Sequence, residues 1–144
     1  MSEIKIAVEI ASTNSERIMG LMYRPELPTD KGMLFIFDQA SNHSFWNKNV
    51  NFDLSLGFFD EQGILVAIRD MASQSPIPTS SNSNKIKFVL EMNKGFFNKK
   101  NINVGSRIVG IKKIDVKEGS LIDRNNYKIK DSYDFSHYLE IEPV

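Results

Sequence analysis

Residues 32–63, GMLFIFDQASNHSFWNKNVNFDLSLGFFDEQG, carry the densest group of aromatic side chains and decide the fold. The aromatic residues of this segment are Phe35, Phe37, Phe45, Trp46, Phe52, Phe58 and Phe59. Each contributes roughly 1.5 to 3 kcal/mol to folding once it is buried, so the segment predicts the core. In its middle, SFWNKNVN places the only tryptophan beside two asparagines and a lysine. Such a combination is typical of a ligand pocket, and equally of a strand that runs into a loop.

Size and charge restrict the class of protein. A chain of 144 residues fits one domain with one core, and 41% hydrophobic and 25% charged residues are ordinary for a globular protein. Lysine plus arginine equals aspartate plus glutamate at 18 each. Since no net positive field attracts nucleic acid or an acidic membrane surface, we expect neither as a partner.

The absence of cysteine excludes disulfides, thiolate catalysis, iron–sulfur clusters and cysteine zinc sites. At the N-terminus, charged residues interrupt the apolar ones in MSEIKIAVEI. That segment therefore predicts neither a signal peptide nor a membrane span. The simplest expected location is cytoplasmic.

Hydrophobic patterning predicts a mainly β (α+β) fold: a small barrel-like domain with an antiparallel or mixed sheet and one or two short helices. Alternation of apolar and polar residues indicates strands at 4–10 and 85–92, and the apolar run 33–37 indicates a strand buried on both faces. Further strands are predicted at 44–47, 54–59, 64–68 and 107–114, with a tight hairpin at 60–63. A loop is predicted at 38–42, an irregular segment at 48–53 and the longest loop at 71–84.

A short helix is predicted after the first strand. Thr13-Asn14-Ser15-Glu16 has the pattern of a capping box, and Pro25 ends the helical pattern. Ile18, Leu21 and Met22 recur at helical spacing and predict its buried face. Gly20, which costs about 1 kcal/mol relative to alanine inside a helix, indicates a close approach of another element. A second helical turn is predicted within 94–101.

The C-terminal part predicts a separate extension. We predict a barrel-like domain at 1–115 and an extension at 116–144. The extension either packs on the domain or serves as an interaction arm. Within the extension, residues 127–129 and 138–141 predict a hairpin.

Five motifs occur in a characteristic order: ERIMGLMYR at 16–24, GMLFIF at 32–37, FWNKN at 45–49, LSLGFFDEQG at 54–63 and VLEMNKG at 89–95. With them, about residues 8–111 of the chain resemble the bacterial and archaeal family known as domain of unknown function 192. The resemblance implies a small, predominantly β, barrel-like fold with a flanking helix. It implies no settled biochemical activity, and a ligand-binding or carbohydrate-binding role is compatible with it.

The chain is a divergent member by this resemblance. After the tryptophan the family usually has methionine, lysine, asparagine and threonine, and later proline, leucine and aspartate. Here Asn47 replaces the methionine, Val50 the threonine, Asp53 the proline and Ser55 the aspartate. If that loop is the family's site, these changes remove two of its polar groups.

Trp46, Lys48 and Asn49 are the first candidates for a ligand-binding site. A tryptophan face can stack on a sugar or a base while an ammonium and an amide fix its orientation. Alternatively, Trp46 fills the core, Asn49 satisfies loop backbone groups and Lys48 is solvated. Buried aromatics and turn asparagines are common, which favours this structural interpretation.

Arg17, Arg24 and Glu91 complete the candidate set. Two guanidinium groups near a pocket could bind a carboxylate or phosphate, but each could also pair with Glu16, Glu91 or Asp60. Glu91 lies on an otherwise apolar strand. If it faces inward, its carboxyl is either paired with an arginine or has a raised pKa that suits a general acid. We expect pairing.

Catalytic and metal chemistry have little support in the sequence. His43 lies near Asp38 and Asp53, and His137 lies far away, but no pair has the spacing of a metal site. There is no Gly-x-Ser-x-Gly, no His-Glu-x-x-His and no phosphate-binding glycine loop. We therefore expect no cofactor, no metal and no catalytic residue.

Two functions remain open. The first is a non-catalytic binding module for a small polar ligand such as a saccharide. The second is a structural or interaction protein that uses the domain as a scaffold in a larger assembly, a virion included, with self-association or partner capture through 116–144. A hydrolase of unknown type ranks third.

Overall fold

The computed structural model describes residues 2–114 and 133–144. Its strands are β1 (Ile4–Ala11), β2 (Lys31–Ser41), β3 (Ser44–Phe45), β4 (Leu54–Asp60), β5 (Leu65–Met71), β6 (Thr79–Ser80), β7 (Ile86–Asn93), β8 (Arg107–Lys113) and β9 (His137–Glu142). The helices are α1 (Asn14–Met19) and α2 (Phe96–Lys99). In the described parts of the chain, neither helix has the length and apolar character needed to cross a membrane.

Seven strands form one mixed sheet in the order β5-β4-β7-β2-β1-β9-β8, and β3 pairs separately with β6. Only the β1–β2 pair is parallel among the described ladders. The edge strands β5 and β8 approach each other at a bridge between Ile64 and Arg107. The prediction of a mainly β domain with a mixed sheet and short helices is confirmed, but the sheet is not closed into a barrel.

Both faces of the sheet are covered, and adjacent residues of the central strands serve different clusters. Leu34 and Leu90 belong to one buried cluster, together with Phe97 of α2. Phe35 and Val89 belong to the other, on the face covered by the β1–β2 connection. The prediction that 33–37 forms a strand buried on both faces is therefore confirmed.

Helix α1 begins as predicted but ends early. The Glu16 backbone N–H donates to Thr13 Oγ1 at 3.2 Å, and the Thr13 N–H donates to Glu16 Oε1 at 3.0 Å, which completes the capping box. Gly20 ends the helix with a φ of +49°, a conformation that suits glycine. The predicted buried face is wrong, because Ile18 is 73% exposed and Leu21, which is buried, lies beyond the helix.

Several strand boundaries also differ from the prediction. β2 continues to Ser41 through the predicted loop at 38–42, and β6 forms within the predicted loop at 71–84 by pairing with β3. The predicted hairpin at 60–63 is present: Asp60 Oδ1 accepts from the Gln62 and Ile64 N–H groups at 3.0 and 2.9 Å, and Gly63 has a φ of +81°.

The described part of the C-terminal extension includes an inner strand. β9 lies between β1 and β8 and pairs with both in antiparallel fashion. Its Leu139 and Ile141 are fully buried. Two predictions lie outside the described residues. They are the first half of the hairpin, at 127–129, and the domain boundary at 115–116.

We expect Leu139→Ala to lower the free energy of unfolding by about 2 to 5 kcal/mol, because a buried leucine in a closely packed cluster leaves a cavity. Tyr138→Ala, at the neighbouring position with 37% exposure, is the matched control and should cost much less. Urea unfolding followed by circular dichroism measures both. Similar losses for the two variants would contradict the inner position of β9.

Candidate functional site

A pocket of about 490 Å³ opens between α1, β3 and the sheet face formed by β2 and β7. Most of its lining is apolar or aromatic, contributed by Ile18, Met19, Leu21, Met22, Phe35, Phe37, Phe45, Trp46, Val50 and Pro78. Its other members are Gly20, Asn14, Arg17, His43, Ser44, Asn47 and Glu91. A concave apolar site with a few polar groups is the usual form of a small-molecule site.

Glu91 lies deepest of the charged groups in this lining. It is 4% exposed and lies on β7 directly across from Met33 of β2 and Leu56 of β4. Among the described residues, no hydrogen bond or ion pair involves its carboxyl, so the arginine partner expected from the sequence is not there. Burial without a compensating charge raises the pKa of Glu91 to about 8. The carboxyl is therefore mostly protonated at pH 7.

Aromatic rings form one wall of the pocket. The Phe45 ring packs edge-on against Phe35 and Phe37, with centroids 5.2 and 6.1 Å apart. The His43 ring stacks on Phe37 with centroids 3.5 Å apart. Burial lowers the pKa of His43, so the imidazole is neutral at pH 7.

The rim of the pocket exposes large apolar side chains. Trp46 is 50% exposed, and Ile18 and Met19 of α1 are 73% and 51% exposed. Ile77, beside the lining residue Pro78, is 72% exposed. Trp46 therefore belongs to the rim, and the interpretation that it fills the core is wrong.

Arg17 forms part of the wall and is held by neutral acceptors. Its Nη1 donates to the carbonyls of Ser12 and Ile36, both at 2.7 Å, and Nη2 donates to Asn14 Oδ1 at 2.8 Å. The guanidinium also lies 5.2 Å from the centroid of the Phe37 ring. These contacts anchor α1 to β2 over the pocket.

The side chain of Asn47 links two loops beneath the rim by hydrogen bonds. It is 1% exposed, and its Nδ2 donates to the carbonyls of Phe52 and Ala72, both at 3.0 Å. Because both acceptors are carbonyls, they fix the orientation of the amide. Its Oδ1 is buried and accepts no hydrogen bond from the described residues. Asn47 therefore lines the pocket with its amide held by the loops and its oxygen fully buried.

Three of the six residues predicted as a site do not line the pocket. Lys48 lies on an exposed turn with its Nζ 5.5 Å from the Trp46 ring. Asn49 has a φ of +61° and donates from Nδ2 to the Tyr23 hydroxyl at 3.0 Å, a loop contact. Arg24 is buried, pairs with Glu9 and lies 4.0 Å from the Tyr133 ring. Only Trp46, Arg17 and Glu91 come together.

The remaining positions that differ from the family pattern have structural contacts. Val50 is buried and lines the pocket. Asp53 Oδ1 accepts from the Ser73 N–H at 2.7 Å. Ser55 Oγ donates to Asp70 at 2.7 Å and accepts from the Gly95 N–H at 3.0 Å, on the other face of the sheet.

Sequence reasoning missed Phe37, His43 and Asn47 as pocket residues. The turn between β2 and β3 brings the Phe37 and His43 rings together. Hydrophobic patterning did not predict where this turn begins and ends. The described ranges contain no group of three histidine, cysteine, aspartate or glutamate side chains arranged to hold a metal ion.

The raised pKa of Glu91 predicts a pH-dependent stability. Between its ordinary value of 4.5 and about 8, the folded protein retains a proton that the unfolded chain releases. The free energy of unfolding should therefore fall as pH rises through this range, by roughly 1 kcal/mol per pH unit from this group. Glu91→Gln removes that contribution, so its stability relative to the unmodified protein should increase with pH.

Urea unfolding of both proteins between pH 5 and 8 measures this difference. Glu61→Gln, in the exposed β4–β5 turn, is the matched control and should follow the unmodified protein. Parallel pH curves for Glu91→Gln and the unmodified protein would contradict a buried, uncompensated carboxyl.

Comparison with known proteins agrees with this architecture. A crystal structure of a protein of unknown function from Novosphingobium aromaticivorans DSM 12444 superposes with a TM-score of 0.67 at 26% identity, over 71% of this chain and 73% of that one. A "putative transcription regulator" from Sinorhizobium meliloti 1021 gives a TM-score of 0.67 at 28% identity, over 74% of this chain and 92% of that one. No curated protein matches the chain. The model of the family DUF192, described as uncharacterized ACR, matches residues 1–110, so the chain belongs to the DUF192 family.

Proposed function

We propose that the protein is a non-catalytic binding module for a small ligand that enters the pocket between α1, β3 and the sheet. One observation carries the proposal: Glu91 lies buried in the lining of an apolar pocket of about 490 Å³ with no described partner for its carboxyl. Leaving a buried polar group unpaired costs about 1 to 3 kcal/mol. A ligand that pairs with the carboxyl would recover much of that cost.

The lining indicates a ligand with an apolar body and a small polar group. Trp46 at the rim and the Phe35, Phe37 and Phe45 rings offer flat apolar surface. A saccharide could stack one face on Trp46, but Lys48 and Asn49, which would have bound its hydroxyls, lie outside the lining. Among small polar ligands, the pocket therefore favours one whose apolar surface is large.

A catalytic step is not part of the proposal. Ser44 and His43 both line the pocket, yet no described hydrogen bond joins the Ser44 hydroxyl to His43 or Glu91. A nucleophile needs a base within hydrogen-bond distance. The geometry supports binding with fewer assumptions than hydrolysis.

A scaffold or interaction function is the second candidate, and the exposed apolar rim supports it. Ile18, Met19, Trp46 and Ile77 could pack against a protein partner. The described part of the C-terminal extension gives less support, because both edges of β9 are already paired within the sheet.

Binding can be measured with the neutral fluorescent probe N-phenyl-1-naphthylamine. We expect a saturable, one-to-one increase in probe emission, with energy transfer from Trp46, the only tryptophan. Trp46→Ala should weaken binding by about 5- to 10-fold, in line with roughly 1 kcal/mol for an aromatic contact. Val66→Ala, an exposed apolar position on β5 outside the lining, is the control.

Unsaturable probe emission, or equal affinity in the two variants, would contradict a ligand pocket. Sedimentation velocity with Ile18→Ser tests the scaffold candidate separately. If the rim is an interface between copies, the unmodified protein sediments as an oligomer and Ile18→Ser shifts it towards the monomer. A monomer in both cases would count against self-association through the rim.

A further inference from the structure

We propose that the pocket selects organic cations, with the Glu91 carboxylate as counter-ion to a protonated amine and the aromatic wall around the apolar body of the ligand. This inference rests on the proposed binding function and names its ligand class. It depends on two features of the lining: a buried carboxyl without a partner among the described residues, and the aromatic rings of one wall.

The buried carboxyl in the lining is the polar group that an ammonium group would satisfy. Glu91 is 4% exposed and has no hydrogen bond or ion pair among the described residues. An ammonium group carries three donors and a positive charge, so it can pair with the ionised carboxyl. Asn47 Oδ1 is fully buried, so a ligand in the pocket does not reach it.

The rings add to the attraction for positive charge. Aromatic faces carry partial negative charge and attract cations within about 6 Å of the ring centroid. Phe35, Phe37 and Phe45 pack together along one wall, and Trp46 stands at the rim. Two cationic side chains already use such faces here: the Arg17 guanidinium lies 5.2 Å from the Phe37 centroid, and Lys48 Nζ lies 5.5 Å from that of Trp46.

None of the described charged groups in the lining already pairs with Glu91, so a cationic ligand can act as its counter-ion. Across the sheet it faces Met33 on β2 and Leu56 on β4, and neither strand contributes a charged group to the lining. From α1, Arg17 is the one lining cation, and its donors go to Ser12, Ile36 and Asn14. His43, from the β2–β3 turn, has a pKa lowered by burial and carries no charge at neutral pH.

Arg17 would favour an anionic ligand if its guanidinium were free. Its three described hydrogen bonds to neutral oxygens instead hold it on the wall. When it ionises, the Glu91 carboxyl would also repel an anion and attract a cation. The arrangement therefore favours a cation over an anion.

Three probes with the same body and different head groups test the inference: 2-phenylethylammonium, 2-phenylethanol and phenylacetate. Isothermal titration calorimetry of the full chain at pH 7.5 should show the amine binding at least tenfold more tightly than the alcohol, and phenylacetate binding most weakly. Equal or tighter binding of the alcohol, or a preference for phenylacetate, would overturn the inference. If no head group binds, the cation inference also falls.

Substitution of the carboxyl provides the second test. Glu91→Gln should reduce amine affinity to that of the alcohol while alcohol affinity stays the same. Glu61→Gln, in the exposed β4–β5 turn, should change neither. An unchanged amine preference in Glu91→Gln would overturn the assignment of Glu91 as counter-ion.

A measurement on the unmodified protein covers the case in which Glu91→Gln does not fold. Since the carboxyl must ionise when the cation binds, amine affinity should rise from pH 5.5 to 7.5 by up to about tenfold per pH unit. Titrations in buffers of different ionisation enthalpy should show about one proton released per amine bound. A pH-independent amine affinity with no proton release would overturn the inference.

The outcomes separate this inference from the binding function itself. If N-phenyl-1-naphthylamine binds while the amine shows no preference over the alcohol, the pocket binds ligands and the cation inference is wrong. If neither the naphthylamine probe nor any phenylethyl probe binds, both proposals are wrong.

Discussion

Parallel pairing of β1 with β2 is the constraint on which the rest of the structure depends. Parallel neighbours need a crossover of a dozen or more residues, and here the chain leaves β1 at Ala11 and enters β2 at Lys31. The crossover contains α1, which buries none of its own residues and is held by its capping box and by Arg17. Leu21 and Leu27 bury apolar surface below it. Because α1 does not pack down on the sheet, a pocket remains between them.

The buried carboxyl of Glu91 lowers the free energy of unfolding at neutral and higher pH unless another group pairs with it. Its raised pKa of about 8 comes from burial alone, which distinguishes it from Glu16, whose pKa is lowered by hydrogen bonds from the backbone N–H groups of Ser12 and Thr13. An apolar residue in the same position would avoid the cost of burying a polar group. A carboxyl that lies in a pocket without a partner among the described residues is typical of functional sites, where stability is given up for binding or chemistry.

Sequence patterns predicted most of the fold, whereas only three of the six predicted site residues line the pocket, and the two outcomes have different physical reasons. Period-two alternation and the capping box depend on neighbours along the chain, and β1, β7 and the start of α1 were predicted correctly. The burial of Ile18 was predicted wrongly, because a helical spacing of apolar residues does not reveal that Gly20 ends the helix after Met19. Which side chains line the pocket depends on contacts distant in sequence: Glu91 could be proposed from its apolar strand, whereas Lys48 and Asn49 resembled site residues only by their nearness to Trp46.

Two of the four positions that differ from the family pattern lie in the lining of the pocket. Asn47, where the family usually has methionine, donates from Nδ2 to two carbonyls across the loops. Val50, where the family usually has threonine, is buried and adds apolar surface to the lining. Asp53 and Ser55 form local contacts outside this lining. In this chain Asn47 therefore acts as a link between loops and Val50 as apolar lining, so neither position offers a free polar group beside Glu91 and the aromatic wall.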